Sequence, residues 1–315
     1  MQAVILAAGK GTRLRPITLT RSKAMAPVAG KPMIERVMET IVENGVRRFI
    51  VVVSDDDRDI RPYFQSQTSL PATFQFVIQP ERLGMANALS LAAPYLHGEF
   101  ILSACDSIVP PAHVAGLLAA HQSQAANATL SLMELSPAQV SKSSAVDWHN
   151  GAIRRIVEKP APGEAPSNIG SLPLYVFSPR VLDYLPEVQP SARGEYELQD
   201  AIQMLIERDG RVGGVLTRQR AQLTNVEDLL DLNRRYLNQL NGAVPEPPPL
   251  AATIQLRPPV YIAAGADIGP GCVIGPHVTL EAGCRIGPNA HVQNAVIMAG
   301  AVIETGRRIA GKVIT

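Results

Sequence analysis

The stretch from Ile262 to Val292 constrains this chain more than any other, because it repeats every six residues. Ile262, Ile268, Ile274, Leu280, Ile286 and Val292 mark the period. Four positions after each stands a small or short apolar residue: Ala266, Cys272, Val278, Cys284, Ala290 and Val296. Such a spacing suits short strands that turn a corner at every hexapeptide and fill a narrow triangular core with one inward apolar side chain each. It predicts a short left-handed parallel β-helix over residues 260–315. Since about three hexapeptides make one coil, the span supplies roughly two coils and a remainder. A solenoid that short has an uncapped end, so it is expected to mediate a homo-oligomer.

A different rhythm precedes it. Short apolar runs at Val4–Ala8, Phe49–Val53, Phe74–Ile78 and Phe100–Leu102 alternate with helical patterns. Between the first two runs, Met33, Ile34, Val37, Met38, Ile41 and Val42 mark one helix face, which stops at Asn44-Gly45. Strand, helix and strand in this order predict βαβ units: a doubly wound α/β domain with a mostly parallel sheet over residues 1–241. Residues 242–259 hold six prolines and little periodicity, and are read as a linker.

Several function classes drop out on composition. With 46% apolar residues the chain can build a sizeable core, which excludes general disorder. Lys plus Arg (29) balance Asp plus Glu (28), and aromatics are only 4%, so neither a basic nucleic-acid surface nor a stacking platform for single strands is expected. No apolar run reaches membrane-spanning length, and the apolar start lacks the basic n-region of a secretory signal. Three cysteines, with no CxxC, make a disulfide scaffold or zinc site unexpected. A cytoplasmic location follows as the expectation.

The chemistry gathers at Leu6-Ala7-Ala8-Gly9-Lys10-Gly11-Thr12-Arg13-Leu14-Arg15-Pro16. A buried strand runs into a loop whose glycines let backbone N–H groups close around phosphate oxygens. It is not the dinucleotide fingerprint, which needs glycine where Leu14 stands. Nor is there a P-loop, since Gly30-Lys31 is followed by Pro32. The longer string resembles the signature of the sugar-phosphate nucleotidylyltransferases, and continues as Lys23-Ala24-Met25-Ala26-Pro27 through Gly30-Lys31-Pro32. The resemblance runs on through Gln79-Pro80-Glu81-Arg82-Leu83-Gly84, Asp106, Glu158-Lys159-Pro160, Asn168-Ile169-Gly170 and Gly194 to Ile202. It is closest to the branch that joins UTP or dTTP to glucose 1-phosphate, and hexapeptide tails occur in several branches.

The resemblance implies a Rossmann-like catalytic domain that converts a nucleoside triphosphate and a sugar 1-phosphate to an NDP-sugar and pyrophosphate, with Mg²⁺. Arg13 would grip the β- and γ-phosphates and Lys23 the α-phosphate. Gly9, Gly11 and Thr12 would close the loop around the nucleotide. Leu6, Ala8, Gln79 and Gly84 match the nucleobase contacts, and glutamine at 79 favours UTP or dTTP. Glu158 would bond sugar hydroxyls and Lys159 the sugar phosphate, with Asn168 and Gly170 lining the pocket. Asp106 would hold the metal. The Asp that many relatives place near position 222 is missing, and Asn225 is the candidate second ligand.

Two other readings compete. Hexapeptide coils also carry acyltransferases, for which His277 and His291 would be the candidate bases. Alternatively, Met85, Cys105 and the missing Asp would suit a non-catalytic nucleotide-sugar sensor.

Overall fold

The computed structural model describes residues 1–161, 163–240 and 250–315, so four of the six linker prolines lie outside the described residues. The chain divides into two compact units, each described by itself: residues 1–9 with 37–221, and residues 10–36 with 222–315.

The first unit is built on a sheet of nine strands: β1 (Gln2–Leu6), β2 (Arg48–Ser54), β3 (Thr73–Gln79), β4 (Phe100–Ala104), β5 (Ala128–Glu134), β6 (Ser144–His149), β7 (Ala152–Glu158), β8 (Ile169–Phe177) and β9 (Val212–Leu216). Their order is β3-β2-β1-β4-β8-β5-β9-β7-β6. β3, β2, β1 and β4 are parallel, as the βαβ rhythm predicts. β8 then enters antiparallel between β4 and β5, while β9 is parallel to β5. A β6–β7 hairpin closes the far edge. Its turn is Asn150-Gly151, both with positive φ, as the tight turn between antiparallel strands requires. Buried Phe100, Leu130, Leu132, Tyr175, Phe177, Leu198 and Ile202 form one apolar core.

The second unit carries a stack of short parallel strands. Val260 pairs with Val278, Asp267 with Arg285 and Val273 with His291, each 18 residues on. Ile262, Cys272, Ile274, Leu280, Cys284, Ile286 and Val292 fill its interior. The arrangement is compatible with the β-helix that the repeat predicts. Two details differ from the hexapeptide reading. Stacking begins at Gln255–Leu256, inside the segment read as linker. After Val292 the spacing falls to 17, so Val278 meets Ala295 and Leu280 meets Ile297, while Val296 pairs with Thr279. One corner is a residue shorter, at Asn294, whose φ is +44°.

Gly275 makes the stacking possible. Its φ is +110°, and a Cβ there would lie 1.9 Å from the carbonyl oxygen of Arg257. Gly283 also has positive φ (+78°), but its Cβ would meet nothing within 4 Å. Gly275→Ala is therefore expected to cost more than about 2 kcal/mol, and Gly283→Ala only about 1 kcal/mol. Denaturant unfolding of the two variants checks the order, and equal costs would contradict it.

Candidate active site

The strand order reverses between β1 and β4, and in open α/β sheets ligands bind beyond the carboxyl ends of the strands at such a point. Leu6 stands opposite Ala104. The Cys105 N–H donates to the Leu6 carbonyl (3.2 Å) and the Ala7 N–H to that of Val52 (2.8 Å). Ala8, Gly9 and Asp106 therefore leave the sheet side by side. Asp106 is half-buried. Beside it lies Arg220, which sequence reasoning passed over. Arg220 Nε donates to Ser107 Oγ at 2.9 Å. Burial pulls the Arg220 pKa below its usual value, while the charge of Asp106 pushes it back up. A guanidinium stays protonated regardless, so the carboxylate faces a fixed cation. Among the described residues, no three His, Cys, Asp or Glu side chains gather as a metal centre. Asp106 offers a single carboxylate, which suits an ion completed by phosphate oxygens and water.

Gln79 is 4% exposed, at the end of β3. Its Nε2 donates to the Gly84 carbonyl (3.2 Å) and to Asn87 Oδ1 (2.8 Å). A carbonyl only accepts, so the amide orientation is determined and Oε1 is the atom left for a ligand. Gly84 takes φ +101° and precedes the helix Met85–Ala92. A Cβ on it would meet the backbone oxygen of Tyr196 at 2.6 Å and its nitrogen at 2.8 Å. Backbone bonds Tyr196 N–H to Leu83 O (2.7 Å) and Ala86 N–H to Tyr196 O (3.0 Å) tie the two motif segments together. Arg82, quoted within the motif, was given no role by sequence reasoning. Its Nε donates to the Ala8 carbonyl (2.7 Å) and its Nη2 pairs with Asp56 (2.6 Å), bracing the end of β1.

Around Glu158 the strands bring further polar groups together. Ser144 Oγ donates to Glu158 Oε2 and accepts from Gln199 Nε2 at 2.9 Å. Lys159 Nζ lies 3.1 Å from Glu158 Oε1, on a backbone with φ +44°. Tyr175 is buried below, and burial raises its phenol well above the usual range. Gln199 Oε1 is buried with no hydrogen-bond partner among the described residues, an arrangement that a ligand hydroxyl would relieve, while Ser171 lies against the Tyr175 phenol. Asn168 lies at the start of β8, its Nδ2 donating to Glu134 Oε1 (3.0 Å). Gly170 has a packing reason to be glycine: a Cβ would come within 2.2 Å of Leu135 Cδ1. Ser144 and Gln199 were not among the expected site residues.

The glycine loop and its cations belong to the second unit. Gly11 has φ +60°, and a Cβ on it would meet Lys23 Cβ at 2.8 Å. Its carbonyl accepts from Leu14 N (2.9 Å) and Thr18 Oγ1 (2.9 Å). Leu14, Ile17 and Ala24 anchor the single turns Thr12–Leu14, Ile17–Leu19 and Lys23–Met25. Thr12 and Arg13 are exposed, and Lys23 is half-buried. Asn225, the expected second metal ligand, also caps a helix. Its Oδ1 accepts from Asp228 N (2.8 Å) and its own N–H donates to Asp228 Oδ2 (3.1 Å), capping the helix Val226–Gln239.

Comparison with known proteins adds an independent line. The nucleotidyl transferase family matches residues 2–239, and the GMPPB C-terminal domain matches residues 256–315. Among curated relatives, UTP–glucose-1-phosphate uridylyltransferase AglF of Haloferax volcanii is 35% identical over 67% of this chain and 85% of its own length. Glucose-1-phosphate thymidylyltransferase of Streptomyces griseus is 28% identical over 100% of this chain and 92% of its own. The bifunctional protein GlmU of Methanococcus maripaludis is 32% identical over 78% of this chain, which spans only 56% of that relative. In structure, UDP-glucose pyrophosphorylase complexed with UDP-glucose matches with a TM-score of 0.68 at 24% identity, over 76% of this chain and 98% of that one. A UTP-bound UGPase from Acinetobacter baumannii matches with a TM-score of 0.68 at 24% identity, over 76% and 93%. At that identity, the two structures speak to the fold.

The Gly84 geometry carries a prediction. Gly84→Ala must displace the Tyr196 backbone and disturb the Gln79 amide, so triphosphate affinity is expected to fall by about tenfold or more, as one lost polar contact would cost. Titration calorimetry of the variant against wild type measures it, and unchanged affinity would separate Gly84 from the nucleotide.

Proposed function

The chain belongs to the nucleotidyl transferase family, and on that premise we propose that it transfers a nucleotidyl group from a nucleoside triphosphate to a sugar 1-phosphate, releasing pyrophosphate. The observation that carries the reading is the pair of chain ends at the β1/β4 reversal, which sets Ala8-Gly9 beside the carboxylate of Asp106.

In this reading a sugar-phosphate oxygen attacks the α-phosphorus in line. The new P–O bond forms as the bond to the pyrophosphate oxygen breaks, and pyrophosphate leaves with that electron pair. Crowded negative charge is the obstacle, so positioning and charge neutralisation do most of the work. Arg13 takes the β- and γ-phosphates, where a guanidinium fork fits two oxygens, and Lys23 takes the α-phosphate. Glu158 accepts from sugar hydroxyls, and Lys159 neutralises the sugar phosphate. Asp106, phosphate oxygens and water would hold Mg²⁺, which supplies charge neutralisation at the phosphates when bound. Asn225 spends one oxygen lone pair on its helix cap, leaving the other for the ion.

Gln79 supports the choice of base. With both amide hydrogens spent on Gly84 and Asn87, its free atom is an acceptor. Uracil, thymine and guanine offer a ring N–H there, whereas cytosine and adenine offer a lone pair. Together with the uridylyl- and thymidylyltransferase relatives, this favours UTP or dTTP, with glucose 1-phosphate as the nucleotidyl acceptor.

The strand stack of the second unit is proposed to be a left-handed β-helix through which the chain forms a homo-oligomer. The acyltransferase alternative gains nothing from its two histidines: His277 Nε2 is engaged with Asn238 Oδ1 at 2.8 Å, and His291 is exposed. The sensor alternative gains no support from the comparisons.

The test is pyrophosphate release with Mg²⁺ across nucleoside triphosphates crossed with sugar 1-phosphates. UTP or dTTP with glucose 1-phosphate is expected to turn over best. Arg13→Gln and Asp106→Asn should each lose on the order of 10²–10³ in rate. Gln79→Glu sets a carboxylate against two acceptors and is expected to lower kcat/KM for the preferred triphosphate by about tenfold. Silence across the panel, or full turnover by Asp106→Asn, would refute the reading. Light scattering is expected to give a mass above the 33.8 kDa of one chain.

A further inference from the structure

Residues 10–36 and 222–315 form one compact unit although some two hundred residues separate them in sequence. What joins them is specific. Asn233, on the helix Val226–Gln239, is 2% exposed and uses its full hydrogen-bonding capacity. Its Oδ1 accepts from Ala29 N–H (2.8 Å) and from Thr279 Oγ1 (2.8 Å). Its Nδ2 donates to Pro27 O (2.9 Å) and Leu229 O (2.9 Å). One amide thus ties the loop backbone to its own helix and to the strand stack. A second tie is the fork between Arg21 and Glu281: Nη1 to Oε1 and Nη2 to Oε2, both 2.8 Å, with side chains 18% and 20% exposed. Glu281 Oε2 also accepts from Ala299 N–H (3.0 Å), so the carboxylate is held from behind. A third is steric. Gly30 has φ +85°, and a Cβ there would fall 2.3 Å from the Tyr261 ring, so loop backbone lies directly on that ring.

These ties flank Lys23. Arg21 stands two residues before it. Pro27 and Ala29 follow the turn in which the Lys23 carbonyl accepts from Ala26 N–H (3.2 Å). Gly11 in turn packs against Lys23 Cβ. The loop from Lys10 to Gly30 holds only single helical turns and the two-residue strand Pro27–Val28, which pairs with Lys31–Pro32, so its shape depends on these outside supports.

We propose that the C-terminal strand stack is a positioning element for the phosphate loop, with Glu281 and Asn233 as positioning residues that act through Arg21 and the 27–29 backbone on Arg13 and Lys23. The stack therefore contributes to nucleotide handling within one chain, whatever it contributes to assembly. For its kinetic consequences this inference rests on the transferase reading above.

The experiment uses the full-length chain with Arg21→Glu, Glu281→Arg, the double swap Arg21→Glu/Glu281→Arg, and the conservative Glu281→Gln. Three readouts are taken: melting temperature, the separate KM values for triphosphate and sugar 1-phosphate, and amide hydrogen exchange of peptides within residues 10–32. Each single reversal is expected to raise the triphosphate KM or lower kcat by about tenfold to a hundredfold, the scale of a misplaced catalytic group. The sugar-phosphate KM should move little. Loop peptides should exchange faster, and the swap should recover part of both losses, since an arginine at 281 restores the ion pair but cannot accept from the Ala299 N–H. Glu281→Gln should show the same direction at smaller size, and decides the matter where a reversal fails to fold. Wild-type triphosphate KM and loop exchange in Glu281→Gln and both reversals would overturn the proposal, as would a double swap no better than its parents. Hydrogen exchange needs no turnover: a silent wild type with a loop loosened by Glu281→Gln would sink the transferase reading and leave the positioning role standing.

Discussion

A buried backbone N–H or C=O must find a partner, and the segment between Lys10 and Pro32 has only single helical turns and one short hairpin in which to find one. The Asn233 amide answers this at the Pro27–Ala29 hairpin, and Arg36 answers it beside, donating to the Val28 carbonyl (3.0 Å) and that of Ala29 (3.1 Å). The Arg36 guanidinium lies 4.5 Å from the centroid of the Tyr236 ring, which adds a cation–π contact from the same helix. Remove these side chains, and the segment holding Arg13 and Lys23 keeps its sequence but loses what shapes it.

In the other unit the governing constraint is electrostatic. Arg220 feels the charge of Asp106, and the buried Tyr175 phenol lies within reach of both Arg220 and Glu158. The phenol cannot ionise there, and the guanidinium cannot lose its proton. The geometry sets Lys159 against Glu158 and the Arg220 guanidinium beside Asp106. A site meant to receive phosphates benefits from cations that pay no reorganisation when charge develops.

How much of this was readable in advance follows from periodicity. The parallel strands β1 to β4 and the hexapeptide coils each repeat a local pattern, so their existence shows in the residues themselves. The antiparallel insertion of β8 rests on pairings between distant segments, such as Tyr175 with Leu102, which leave no local trace. Asn150-Gly151 was a legible hairpin signal that the strand-helix rhythm obscured. So was Asn225-x-x-Asp228, a capping box on the helix it opens. Arg82, Ser144, Gln199 and Arg220 are single polar residues that become meaningful only once sheet neighbours surround them. The shortened corner at Asn294 was hidden too, because Val296 and Met298 keep the hexapeptide looking intact while the pairing has already slipped by one.

The tie between Ala29 and Asn233 spans 204 residues. A ribosome adding about 5–20 residues per second leaves the nascent loop waiting roughly 10–40 s for that amide. Glu281 comes later still. A chain still being made can therefore settle its parallel sheet before the loop of residues 10–36 meets its supports at Asn233 and Glu281. In this molecule the order of synthesis places the loop some two hundred residues ahead of the amide that shapes it.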